Sequence, residues 1–339
     1  MWKFESYIKN HKIALLGVGK CLADQYENID YWPIYTDRKG WTARQAFKLY
    51  EHLSRSLQKF VKGDRWYDNW KVHIADYDVV VVGSGVRGRD VIEYIQDCNP
   101  NARILVHFES KLDDDDRKNP RFYRGLKNLE FSTFDKSDSK QYGIPFVLLY
   151  YDPTYYGPLS TPLTEIRKIA VQNGIQQDVY FVGKVYDRLD RLMRIREILE
   201  EQEISHKLYI VKNTHRHYSK ANARYLFDKG VSYTEVLQNV MQSRCILEIL
   251  QNGQNGMSYR AMEAAIYHKK LITDNKHAKE YDFYTPERVF ILGVDAIDKL
   301  KEFVCREAPW GEDKADVSMY TPQHWLDELL FGGEMPENK

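Results

Sequence analysis

The sequence predicts an α/β protein made of two parallel-sheet domains that form a cleft between them. Three observations carry that expectation. Short apolar runs alternate with helical periodicity along both halves of the chain. Residues 243–275, SRCILEILQNGQNGMSYRAMEAAIYHKKLITDN, read as strand, glycine-bearing loop, helix and strand. Residues 150–165, YYDPTYYGPLSTPLTE, gather Pro, Gly, Ser and Thr between two periodic segments and form the strongest break in composition, so the interdomain linker and hinge are expected there. At 339 residues the chain is also long for one core. The expected divisions are 1–153, 154–320 and a tail at 321–339.

Taken in order, Lys12 to Leu16 form a short strand that ends in Gly17-Val18-Gly19. Thr42 to Val61 are helical, with apolar residues at Ala46, Phe47, Tyr50, Leu53, Leu57 and Phe60. Strand Val79 to Val82 enters GSGVRGRD, helix Asp90 to Gln96 follows, and strand Ile104 to Phe108 ends at Glu109, which makes a parallel βαβ unit. The second half repeats the rhythm with strands at Val179 to Val182, Leu208 to Val211, Ile246 to Leu250, Leu271 to Thr273 and Val289 to Leu292. Helices Asp187 to Gln202, Tyr233 to Gln242 and Tyr259 to Tyr267 lie between them, and His324 to Leu330 form a last short helix after Pro322.

Composition narrows the class. The 49 basic and 49 acidic residues cancel, so no bulk charge favours a nucleic-acid partner. Four widely spaced cysteines form neither CxxC pairs nor a small secreted framework, which suits a reducing cytosol. No run approaches the roughly 18 apolar residues of a membrane span, and the start MWKFESYIKNHK lacks the apolar core of a signal peptide. A cytoplasmic protein is expected.

The chemistry is concentrated where strands hand over to helices. The loop Gln251 to Ser258 opens the helix from Tyr259, so its backbone N–H groups and the helix's positive end face the carboxyl end of the preceding strand, where open α/β sheets bind anionic ligands. With Ser258 at the N-cap, Glu263 lies too deep for a capping box and can accept hydrogen bonds from ribose hydroxyls; pairing with Arg260 or Lys270 is its plainer alternative. Gly183-Lys184 with Arg188 repeats the arrangement after another strand: Gly183 permits close backbone approach, and Lys184 and Arg188 supply charge for a diphosphate. Tyr233 is a candidate to lie beside a base, core packing being the commoner role of an aromatic at a helix start. Ser232 is its N-cap, with Glu235 at the capping-box position.

The block QNGQNGMSYRAMEAAIYHKKLIT resembles the nucleotide-sugar-binding segment of GT-B-type glycosyltransferases, in particular bacterial enzymes of lipopolysaccharide and capsular polysaccharide biosynthesis. Gln254, Gly256, Arg260, Glu263, Lys269, Lys270 and Thr273 carry the match, supported by DVYFVGKVYDRLDRL at 178–192, VSYTEVLQNVMQSRCILEI at 231–249 and, more weakly, FDKSDSKQYGIPF at 134–146. The resemblance implies two Rossmann-like domains facing across a cleft, the last helix crossing back to the first domain, and sugar transfer from a nucleoside-diphosphate sugar to an oligosaccharide or lipid-linked acceptor. It implies donor binding by Gly183, Lys184, Arg188, Tyr233, Gln254, Asn255, Gly256, Met257, Ser258, Arg260 and Glu263. The acceptor falls to the first domain, with Asp24, Asp90, His107 and Glu109 as unranked candidate bases, and Gly17, Gly19, Gly85, Arg87 and Lys212 as cleft residues. Lys184 and Arg188 take the place of a metal, so no cofactor or metal is expected. Peripheral contact with the inner membrane face is compatible with such an acceptor.

Other signals compete. Gly83-Ser84-Gly85-Val86-Arg87-Gly88 is a literal GxGxxG between strand and helix, which would suit an NAD-dependent oxidoreductase, but the spacing to Glu109 exceeds the expected roughly 20 residues and arginines crowd the loop. A fold that kept nucleotide-sugar binding and lost turnover is a third reading. Asp113 to Asp116 could form a DxD metal site, yet a solvated acidic loop is the commoner meaning. His215 and His217 form an HxH without a signalled third ligand.

Overall fold

The continuous Val79–Val82 run is buried on both sides, as a central parallel strand requires. In the computed structural model, which describes residues 2–36, 41–53, 57, 66–83, 89–112, 119–154, 159–213, 216–307, 310, 317–333 and 335, the chain divides into two compact units. Unit 1 holds Met1–Leu149 and Pro322–Lys339, and unit 2 holds Tyr150–Thr321.

Unit 1 contains β1 (Ile13–Leu16), β2 (Ile29–Trp32), β3 (Val79–Val82), β4 (Arg103–Phe108) and β5 (Leu129–Thr133), all parallel in the order β2-β1-β3-β4-β5. Strand order reverses between β1 and β3, and the register Leu16 to Val82 sets Gly17 beside Gly83 at the carboxyl ends. The Gly83 amide donates to the Leu16 carbonyl at 3.0 Å. Helix Arg89–Cys98 buries Val91, Ile92 and Ile95. Helix Pro322–Phe331, last in sequence, belongs to this unit: Trp325, Leu326, Leu329 and Leu330 are buried, the Phe4 amide donates to Asp327 at 2.7 Å, and Arg103 Nη1 donates to the Leu330 carbonyl at 2.6 Å.

Unit 2 contains β6 (Gln177–Lys184), β7 (His206–Val211), β8 (Leu226–Phe227), β9 (Ser243–Glu248), β10 (Lys270–Thr273) and β11 (Val289–Ile291), parallel in the order β11-β10-β9-β6-β7-β8. This is the doubly wound Rossmann order, with its switch point between β6 and β9. Helix Leu189–Glu201 buries Leu192, Met193, Ile195 and Leu199, each large aliphatic side chain contributing about 1.5–3 kcal/mol of apolar burial. Helices Tyr233–Met241 and Tyr259–Ile266 complete the layers. The two places where the chain passes between units are tied within unit 2, the Tyr151 amide donating to the Tyr320 carbonyl at 2.7 Å.

Several elements depart from the sequence reading. The helix expected over residues 42–61 is described as Trp41–His52, residues 54–56 and 58–65 lying outside the described set. Strands β2 and β5 were not anticipated, because Asp30 and Glu130 interrupt their apolar character at sheet edges. Helix Leu163–Asn173 begins inside the expected linker, of which residues 155–158 lie outside the description.

Candidate functional site

The switch point of unit 2 gathers most of the expected donor residues. Lys184 is the last residue of β6, and Arg188 stands at the N-cap of helix Leu189–Glu201. The Arg188 guanidinium folds back across Gly183: a Cβ there would lie 2.8 Å from Arg188 Nη2 and 3.3 Å from Phe181 Cζ. The absence of a side chain at Gly183 is therefore what admits the guanidinium. Arg188 Nε and Nη2 donate to the Lys184 carbonyl at 3.2 and 3.0 Å, Nη1 donates to the Ile249 carbonyl, and the group sits 5.3 Å from the Phe181 ring centroid. Burial, and next the positive charge of Arg260, push the Arg188 pKa down to about 10.

Charge matching at the site is uneven. Arg260 pairs with Glu263 at 3.0 Å, and Arg191 pairs with Asp274 at 2.5 Å. Among the described residues, neither Arg188 nor Lys184 forms an ion pair, and Lys184 is exposed. Among the described residues, no carboxylate thus lies within ion-pair distance of these two cations at the carboxyl end of β6, although Asp187 and Asp274 are near enough to act on Arg188.

The loop after β9 turns at Gly253, whose φ of 79° needs glycine, and the Gln254 amide donates to the Gln251 carbonyl at 3.1 Å. Asn275 Nδ2 holds the Asn255 carbonyl at 3.0 Å, and Gly256 and Met257 are buried. Ser258 caps the next helix, its Oγ accepting from the Arg260 amide at 3.1 Å. Ser232 likewise accepts from the Glu235 amide at 3.2 Å.

Glu263 is placed otherwise than expected. It is 0% exposed, with Oε1 accepting from the Tyr233 hydroxyl at 2.5 Å and Oε2 from Arg260 Nη1 at 3.0 Å. Its carboxylate is an internal partner of Arg260 rather than a rim group open to a ribose, because helix Tyr259–Ile266 turns this face into the core. Tyr233 is turned inward with it. Lys212 pairs with Asp228 at 2.9 Å.

Sequence reasoning passed over the residues that brace this loop. Glu248 ends β9 buried, accepting from Ser258 Oγ and from Thr273 Oγ1 at 2.5 Å, and burial raises its pKa. Asp274 accepts from the Leu250 amide at 2.8 Å, and Asp187 from the Asn252 amide at 2.9 Å. Their signal was available: each is a polar residue at or just beyond the carboxyl end of a strand. One helical turn past Arg188, a cavity of about 520 Å³ opens among Arg191, Ile195, Ile249, Asp274 and Leu292. Among the described residues no group of three or more His, Cys, Asp and Glu could hold a metal ion, and no helix is long and apolar enough to cross a membrane.

In unit 1 the four candidate bases separate. Glu109 follows β4 and lies over the end of β3, its Oε2 being 3.5 Å from the Cβ position of Gly83. Asp24 is exposed after helix Lys20–Ala23. Asp90 accepts from the Tyr67 hydroxyl. His107 is 0% exposed, its Nδ1 2.9 Å from Ser132 Oγ and its ring packed against Trp325, and burial drives its pKa down to about 3. That position denies it contact with a substrate, so it is a core histidine and not a base. Gly17 and Gly19 adopt φ of 73° and 71°, and a Cβ on Gly19 would meet Leu15 at 2.8 Å and Trp325 at 3.3 Å. Gly85, Arg87, Asp113 to Asp116 and His215 lie outside the described residues.

No protein-family pattern and no curated protein sequence matches the chain. Among solved structures it is similar to a sucrose-phosphate synthase from Thermosynechococcus elongatus, with a TM-score of 0.51, 11% identity, and coverage of 95% of this chain and 94% of that one. A glycosyltransferase from Rickettsia africae ESF-5 aligns at a TM-score of 0.46 and 12% identity, over 96% of this chain and 87% of that one. At such identity the first likeness speaks for the fold alone, an α/β architecture of two Rossmann-like units.

Proposed function

We propose that the protein is a glycosyltransferase that takes its sugar from a nucleoside-diphosphate sugar, bound at the switch point of unit 2 without a metal, and passes it to an oligosaccharide or lipid-linked acceptor of the cell surface. The observation that carries this reading is the placement of Arg188 and Lys184, neither in an ion pair among the described residues, against the Ser258-capped helix and the Gly253 loop. A diphosphate is the anion that two such cations beside a helix N-terminus fit. The likeness of fold to a sucrose-phosphate synthase supports it.

In the reaction an acceptor hydroxyl oxygen bonds to the anomeric carbon, the bond from that carbon to the diphosphate oxygen breaks, and negative charge grows on the departing diphosphate. Arg188 and Lys184, with the positive end of the helix that Ser258 caps, are the groups that meet this charge, and charges already in position stabilise a developing anion without reorganising. Should the reaction invert configuration, the acceptor proton needs a base. With His107 buried, Asp24, Asp90 and Glu109 are the candidates left for that role.

A thermal-shift screen of UDP-, dTDP-, GDP- and CMP-sugars alongside NAD tests the proposal, because a ligand that binds only the folded state raises apparent stability. One nucleotide-sugar class is expected to raise the melting temperature. A rise with NAD and with no nucleotide sugar would favour the oxidoreductase reading.

A further inference from the structure

We propose that Tyr233, backed by Tyr151, is a positioning residue for the diphosphate site that acts through Glu263 on Arg260. The inference rests on the diphosphate reading above and deepens it. The Tyr233 hydroxyl donates to Glu263 Oε1 at 2.5 Å, and its oxygen lies 3.0 Å from the Tyr151 hydroxyl, which is 3.1 Å from the Tyr267 hydroxyl. A hydroxyl has one proton. Since that of Tyr233 goes to the carboxylate, Tyr151 donates to Tyr233 and Tyr267 to Tyr151, so the chain of donors runs one way and ends on Glu263. Burial and the neighbouring Glu263 charge raise the Tyr233 pKa, which keeps the proton in place.

The consequence reaches the strand end. With Oε1 satisfied by Tyr233, Glu263 takes one guanidinium N–H, from Arg260 Nη1, and leaves Nε and Nη2 to donate to the Val182 carbonyl at 3.2 and 3.0 Å. Val182 precedes Gly183, so this fork fixes the Arg260 charge beside that of Arg188, whose pKa it lowers. Without the Tyr233 hydroxyl, a fully buried carboxylate oxygen loses its partner. The nearest remedy is a bidentate grip on Arg260, and that turns the fork away from Val182. The outer end of the relay is also anchored: Tyr151 is the second residue of unit 2, and its amide holds the Tyr320 carbonyl.

Calorimetry on the full chain with inorganic pyrophosphate, UDP, dTDP and GDP tests this. Tyr233→Phe is expected to weaken every probe that the wild type binds by about tenfold, and Tyr151→Phe, one link further out, by about threefold. Arg260→Gln is expected to lose as much as Tyr233→Phe, and the double variant no more than Arg260→Gln alone, a non-additivity that general loosening of the core would not produce. Thermal melts establish folding; if Tyr233→Phe does not fold, Tyr151→Phe combined with Arg260→Gln makes the same cycle. Wild-type affinity in folded Tyr233→Phe and Tyr151→Phe, or losses that multiply in the double variant, would overturn the relay while leaving the diphosphate site standing. Failure of the wild type to bind any of the four probes would overturn the diphosphate reading, and the relay with it.

Discussion

Replacing Gly183 by alanine separates binding from folding at the site. The new methyl would stand 2.8 Å from Arg188 Nη2, and the atom in its way is the far end of a flexible side chain, so the guanidinium swings out and the backbone stays. Gly183 has no positive φ, so alanine is conformationally compatible and gains about 0.4–1 kcal/mol from the stiffer unfolded chain. The lost hydrogen bonds to the Ile249 and Lys184 carbonyls cost about 1 kcal/mol apiece when neutral acceptors are considered, and water replaces part of that once this part-buried group swings outward. Net stability changes by no more than about 1 kcal/mol, or about 2–4 °C for a domain of this size. Binding fares differently. A charge-assisted contact to the diphosphate is worth about 1.5–3 kcal/mol, which is about 10- to 150-fold in Kd. Calorimetry with the nucleoside diphosphate, with a melt of the free protein, measures both. In an Arg188→Ala background the Gly183 change is expected to add nothing. A folded Gly183→Ala variant that binds as the wild type does would refute the placement of the diphosphate against Arg188.

Metal dependence and acid stability give two further tests. Sugar transfer is expected to persist in EDTA, since Arg188 and Lys184 supply the positive charge; loss of activity restored by magnesium or manganese would point to the acidic run at residues 113–116 instead. His107 gives a pH signature in stability: its folded pKa of about 3 lies below its ordinary 6.5, so the folded state holds it neutral, and its contribution is complete above 6.5 and is lost as pH falls from there toward 3. His107→Leu is expected to remove up to about 1.4 kcal/mol per pH unit of acid sensitivity in that window, read from urea melts; an unchanged slope would contradict the burial of the neutral ring.

What could be read from the sequence was what repeats or breaks a repeat. The valines of β3 and the Gly253 loop opening a helix are local patterns, and both appear where expected. Strands β2 and β5 escaped because an edge strand is less fully covered and tolerates Asp30 and Glu130, which erases the apolar run. The site was legible as a set of residue types but not as a set of pairings. Arg260 and Glu263 stand three apart on a helix, a spacing that allows a surface pair, and nothing local says that this face is buried against Tyr233. His107 looked like a base from its place near a strand end, whereas its burial depends on Trp325 of the last helix, distant in sequence and invisible to any local pattern. Gly183 was expected to allow close backbone approach to a ligand, and the group that the structure sets against it is the protein's own Arg188.

The central claim is that the diphosphate of a sugar nucleotide binds at the β6 and β9 strand ends of unit 2. Hydrogen exchange of the full chain, with and without a saturating nucleoside diphosphate, tests it most directly, since bound amides exchange more slowly where the ligand sits. The account predicts protection confined at first to residues 183–188 and 251–262, and reduced in Arg188→Ala at the same ligand concentration. Protection centred instead on the loop after β3, or saturation by ligand with no change in either unit 2 segment, would contradict it.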